Sequence, residues 1–142
     1  MGKFKIGVMA DSFRTDFKTG VEKAAKLGAD GIQMYMVDGE LAPKNMTPAK
    51  IAEVKDIIKS NGVEISAVCG DPGGHGFAIK ADNPEKIAFS KRVVEITKEL
   101  GANVVTTHIG VIPADPTCER YKVMQEACAE LGAFADSLGV SF

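Results

Sequence analysis

Apolar positions along this chain change spacing again and again, from near-continuous runs to a helical period and back. Phe4, Ile6, Val8 and Met9 make a mostly apolar run from about Phe4 to Ala10, the pattern of a strand buried on both faces. From Asp16 to Leu27 the period lengthens, with Phe17, Val21 and Ala24 on one helical face and Lys18, Glu22, Lys23 and Lys26 mostly elsewhere. The pairing then repeats. A second strand spans Gly31 to Met36, and Thr47-Pro48 opens its helix as N-cap and first-turn proline, with Ile51, Val54 and Ile58 as the buried stripe. A third strand covers Val63 to Cys69; its helix begins at Asn83-Pro84 with the same cap chemistry and turns Phe89, Val93, Ile96 and Leu100 inward. A fourth strand runs from Asn103 to about His108, and its helix from about Cys118 to Leu138, with Gly132 as a soft point.

Glycines mark the joints. Gly28, Gly62, Gly101 and Gly139 lie 34, 39 and 38 residues apart, each closing a helix, and an apolar strand starts within three residues of each. A repeat of that length built from βα units predicts a parallel sheet covered by helices. The expected fold class is α/β, built of (βα) units: four units and the start of a fifth strand, in a single domain over residues 1–142. A closed eight-unit barrel takes roughly 250 residues, so half of one fits here.

Composition narrows the class of protein. With 45% hydrophobic and 25% charged residues, the chain is an ordinary globular protein; its net charge of −2, with basic residues scattered, gives no reason to expect nucleic acid or an anionic membrane as partner. Lysines interrupt the first apolar run and no long apolar stretch follows, so neither a signal peptide nor a membrane span is read and a cytoplasmic location is expected. Cys69, Cys118 and Cys128 are an odd count without paired spacing; buried or half-buried thiols are expected.

Ligands of parallel α/β folds bind beyond the strand carboxyl ends. Those ends carry Asp11-Ser12, Gln33 to Tyr35, Asp71 with His75, and Thr107-His108, so both histidines of the chain fall on one face. The His108 imidazole suits a divalent metal, a sugar hydroxyl or proton transfer near neutral pH, unless it only closes a strand on a neighbouring carbonyl. His75 sits in the glycine-rich run Gly70 to Gly76, read as a mobile loop. That run lacks the Gly-x-x-x-x-Gly-Lys pattern and is a weak phosphate nest. Asp11 suits hydroxyls, metal or a histidine partner, or is turn chemistry alone. Tyr35 and Phe13 are read as pocket walls or as packing.

Three stretches resemble the sugar phosphate isomerase/epimerase superfamily, the xylose isomerase-like TIM barrel group that includes endonuclease IV: Lys5-Ile6-Gly7-Val8-Met9-Ala10-Asp11-Ser12-Phe13, Leu27-Gly28-Ala29-Asp30-Gly31-Ile32-Gln33, and Val104-Val105-Thr106-Thr107-His108-Ile109-Gly110. The resemblance covers the amino-terminal half of that barrel, and it implies parallel (βα) units in consecutive order, half of a TIM barrel. It implies a sugar or sugar phosphate substrate, a divalent metal ion (Mn, Mg, Co or Zn), and proton movement between adjacent carbons through an ene-diol or enolate. It places His108 beside substrate or metal, and Gln33 and Asp11 along the pocket. Ile109-Gly110 stands where the family often has Pro-Gly, and the family's principal metal ligands belong to strands five to eight. His108 with Asp11 or His75 offers a cation too few donors, so the chain alone is expected to be inactive or nearly so. Exposed strand edges and an apolar inner face predict a homodimer or larger assembly.

Two other readings stand beside this one. A flavodoxin-like receiver domain fits the length, and Asp11, Asp71 and Thr107 mimic a phosphoacceptor site, although no lysine follows a fifth strand. A half-barrel without catalysis is the other. Strand order separates the first of these: 2-1-3-4-5 for the flavodoxin-like sheet, consecutive for the barrel.

Overall fold

The computed structural model describes residues 4–142, so the first three residues of the expected domain lie outside the described residues. Four strands, β1 (Gly7–Met9), β2 (Gly31–Tyr35), β3 (Glu64–Cys69) and β4 (Val105–Thr106), form one sheet in the order β1-β2-β3-β4. Every neighbouring pair is parallel. Helices α1 (Phe17–Lys26), α2 (Pro48–Ser60), α3 (Asn83–Glu99) and α4 (Glu119–Leu138) follow the strands in turn. Beyond β4 the progression continues: Ser141 bridges Val104 in parallel, its carbonyl accepting the Val105 N–H at 2.8 Å. This consecutive order excludes the flavodoxin-like reading, which needs β1 between β2 and β3.

The helices cover one face of the sheet. Ile32, Met34 and Val68 are fully buried beneath Val21, Val54, Val93, Val94 and Ile96 in a single apolar cluster. Removing such side chains from water stabilises by about 1.5–3 kcal/mol each, so this layer supplies most of the cohesion. The alternate strand positions, Met9, Gln33, Tyr35, Cys69 and Thr106, point to the opposite face, over which no helix of the described residues lies; there Met9 is 42% exposed. Below them Gly7, Gly31 and Ser66 form a layer of small residues, with a bulge between Ile32 and Gln33 fitting Ser66 into the ladder.

Local chemistry sets the helix ends. Asp16 Oδ1 accepts the Thr19 N–H at 3.0 Å at the start of α1, and Thr47 Oγ1 accepts the Lys50 N–H at 3.2 Å at the start of α2. Gly28, Gly62, Gly101 and Gly139 all take positive φ, between 67° and 83°, as helix-terminating glycines do. Gly70, at the end of β3, is needed for closeness: a Cβ there would lie 2.6 Å from Val93 Cγ1 on α3.

Three expectations are corrected. Asn83 does not cap α3; it is the first helical residue, and its buried amide donates to the Phe77 carbonyl at 3.1 Å. The first strand is shorter than the apolar run, and Ile6 is 64% exposed because β1 has a strand on one side only. The fourth strand shrinks to two residues, ending before Thr107 and His108. Among the described residues no helix is long and apolar enough to cross a membrane.

Candidate functional site

The carboxyl ends of all four strands open on one edge of the sheet, and each is followed by a segment that carries a polar residue of interest. After β1, residues Ala10–Phe13 form a short 3-10 turn that presents Asp11, and Arg14 closes it in the left-handed region at φ 53°. Asp11 lines a cleft of about 440 Å³ with Tyr35, Asp38, Glu40 and the Asp16–Phe17 start of α1.

One wall of this cleft is built by a long-range cap. Glu40 Oε1 accepts the Phe17 N–H at 2.6 Å, and Glu40 Oε2 accepts from Lys50 Nζ at 3.3 Å. The loop after β2 thereby satisfies the amino end of α1, where an acceptor is favoured by both the free N–H groups and the helix dipole. Desolvation pushes the Asp11 carboxyl above the usual carboxylate range, and the nearby Asp38 charge adds to it. Burial raises the Tyr35 phenol in the same way, helped by Cys69, Asp71, Asp38 and Asp11.

The floor is polar. Gln33 Nε2 donates to Thr106 Oγ1 at 2.9 Å, spanning β3, where Ala67 and Cys69 stand between them in register. Gln33 is half-buried, so its amide is pinned while still open to the face.

The two histidines come from adjoining loops. Phe77 N–H donates to the Ile109 carbonyl at 3.1 Å, two residues after His75 and one after His108. Both imidazoles belong to exposed residues. The glycine run, read as a mobile loop, is bridged by side chains: Asp71 Oδ1 accepts the Gly73 N–H at 2.8 Å, and Lys86 Nζ donates to the Gly73 and Gly76 carbonyls at 3.2 and 2.6 Å. Neither histidine is among the residues that line the Asp11 cleft. Sequence reasoning missed Glu40 and Lys86, whose spacing along the chain carries no signal of their role.

Among the described residues, no three His, Cys, Asp or Glu side chains converge in a group that could hold a metal ion. A divalent cation takes several oxygen or imidazole donors together, so the residues present do not fit the metal that the family resemblance implies. Cys69, Cys118 and Cys128 are free and half-buried, and burial pushes the Cys128 thiol up. A groove of about 530 Å³ runs between α3 and α4, with Lys91 and Glu130 on its walls paired at 2.6 Å.

The family model described as xylose isomerase-like TIM barrel matches residues 21–142. The chain belongs to this family. Solved structures agree on the barrel architecture. A xylose isomerase domain protein from Planctomyces limnophilus is similar with a TM-score of 0.80 at 16% identity, over 96% of this chain and 52% of that one. A D-psicose 3-epimerase from Clostridium cellulolyticum, solved with D-tagatose, gives 0.75 at 19% identity over 96% and 50%. A 3-keto-D-glucoside 4-epimerase from E. coli gives 0.70 at 22% identity over 97% and 54%. A search of the curated proteins by sequence found no match. The chain therefore spans about half the length of the family structures it matches. Its four consecutive parallel strands correspond to part of the family's barrel.

Proposed function

We propose that these 142 residues form a single half-barrel domain that binds a sugar or sugar phosphate at the strand carboxyl ends, as the amino-terminal half of an isomerase or epimerase. The observation that carries this is the convergence of the Gln33–Thr106 floor, the Asp11 cleft and both histidine loops on one edge of a consecutive parallel sheet.

Each residue has a role in this reading. Gln33, held at one end by Thr106, offers its carbonyl oxygen to a sugar hydroxyl. Asp11 accepts from, or in its protonated form donates to, a hydroxyl at the cleft mouth. His108 and His75 offer imidazole nitrogens from the other side, donor or acceptor according to tautomer. Isomerisation or epimerisation moves a proton between or at adjacent carbons. The divalent metal implied for the family would polarise the sugar's carbonyl and hydroxyl, yet the described residues supply no site for it. The 142-residue chain alone accordingly binds sugar without converting it.

Saturation-transfer NMR of the chain with D-fructose and D-tagatose tests the binding half of the proposal. Both ketoses are expected to bind in the millimolar range, with His108→Ala weakening them about tenfold, the equivalent of ~1.4 kcal/mol. Binding that is absent, or equal in the His108→Ala chain, would overturn the assignment. A ketose and aldose panel assayed with added Mn²⁺ is expected to show no conversion; turnover by the isolated chain would refute the inactive half.

A further inference from the structure

Lys86 stands outside the residues assigned to sugar, yet it meets the loop that carries one of them. It lies in the first turn of α3 and its ammonium donates to two carbonyls of the glycine run, at Gly73 and Gly76. Charge-assisted bonds of this kind are roughly twice as strong as neutral ones. The two acceptors lie on either side of His75, so one side chain gathers both ends of the His75 segment.

The fixed loop then locks onto its neighbour. Gly76 and Gly110 pass so closely that a Cβ on Gly76 would land on the Ile109 carbonyl group, and one on Gly110 on the His75 carbonyl oxygen. Both take positive φ, at 57° and 96°. Phe77, fully buried against Ala127 and Leu131, anchors the junction, and its N–H binds the Ile109 carbonyl. The chain of contacts runs Lys86 to Gly76, Gly76 to Ile109, and Ile109 to the adjacent His108.

We propose that Lys86 is a positioning residue: by holding the Gly73–Gly76 turn it keeps the His75 and His108 loops as one rigid unit across the sugar face. The sugar part of this statement rests on the function proposed above; the holding itself does not. Packing of Phe77 fixes where the junction sits, while Lys86 fixes the turn that presents His75.

The chain has two histidines, so its imidazole Cε1–H signals report each loop separately. In Lys86→Met both signals are expected to shift, and the amides of residues 74 to 77 to exchange about tenfold faster, as a locally loosened unit does. Lys86→Arg, which keeps donors for the two carbonyls, is expected to restore both. A folded Lys86→Met chain with both signals in their native places, or with only the His75 signal displaced, would overturn the proposal. Should Lys86→Met fail to fold, Lys86→Gln removes the ammonium with a polar side chain: displacement of both histidine signals supports the proposal, and two unmoved signals contradict it. These readouts need no sugar. Failure of D-fructose to perturb either signal in the native chain would instead count against the sugar reading and leave the role of Lys86 standing.

Discussion

Gln33 and Thr106 lie 73 positions apart in the chain, and their side chains meet at 2.9 Å across an intervening strand. The bond links β2 to β4 over β3, where Gln33 stands in register with small Ala67. A bulkier side chain there would occupy the space the amide crosses. Hydrogen bonds of this sort contribute about 0.5–1.5 kcal/mol net. In a double-mutant cycle of Gln33→Met and Thr106→Val, urea denaturation is expected to give a coupling in that range. Additive losses would show that the two residues act independently.

The close approach of β3 and α3 makes a second prediction. Gly70→Ala would place a methyl 2.6 Å from Val93 Cγ1, in a stiff β-branched neighbour that cannot move aside. The expected cost is about 1–3 kcal/mol, as for other overpacked cores. Gly70→Ala with Val93→Ala should recover part of that loss relative to the sum of the single changes. A fully additive pair would mean the strain lies elsewhere.

Two aspartates in one cleft should respond to acid in opposite directions. Asp16 is held below the usual carboxylate range, first by the Thr19 backbone N–H, so the unfolded chain binds its proton more readily. Its stabilising contribution is present above 3.8, the ordinary value, and is lost as pH falls through the folded value. Asp11 is raised by desolvation and then by Asp38, so the folded chain binds its proton more readily and stability falls as pH rises through that window. Asp16→Asn is therefore expected to lower the urea midpoint at neutral pH and Asp11→Asn to raise it, both differences fading in strong acid. Shifts of the same sign for both would contradict the assignment.

The strand periods, the glycine stops and the Thr47 cap were legible in the sequence because each depends on a few neighbouring residues. Positive φ at Gly28 and Gly101, or the reach of Thr47 to the Lys50 N–H, needs no knowledge of the rest of the chain. Consecutive strand order also followed from the repeat once the family resemblance was added. What stayed hidden depends on tertiary proximity: Glu40 capping a helix that starts 23 residues earlier, Lys86 holding a turn, and Gly76 against Gly110. Asn83 illustrates the same limit, since Asn-Pro reads as a cap until the buried Phe77 carbonyl claims its amide. The residues read from the strand carboxyl ends do lie along one edge of the sheet, but their grouping was not visible: Asp11 lines one cleft while the histidine loops share another junction.

Self-association is expected from the open strand edge. With β1 an edge strand and Ile6 64% and Met9 42% exposed, the described residues present a strand edge flanked by apolar side chains. Light scattering at micromolar concentration is expected to give a dimer or larger species. Ile6→Lys with Met9→Lys should shift it toward the monomer. A monodisperse monomer for the native chain would remove this prediction.

The most direct test of the central claim, that sugar is bound at the strand carboxyl ends, is a map of backbone amide shifts as D-fructose is added to the 142-residue chain. The account predicts changes confined to that edge, at Asp11, Gln33 to Tyr35, the Asp71–Phe77 loop and Thr106 to Gly110, with Gly28, Gly62 and Gly101 at the opposite ends of the strands silent. Changes centred on the groove between α3 and α4, or on those opposite-end turns, would contradict it.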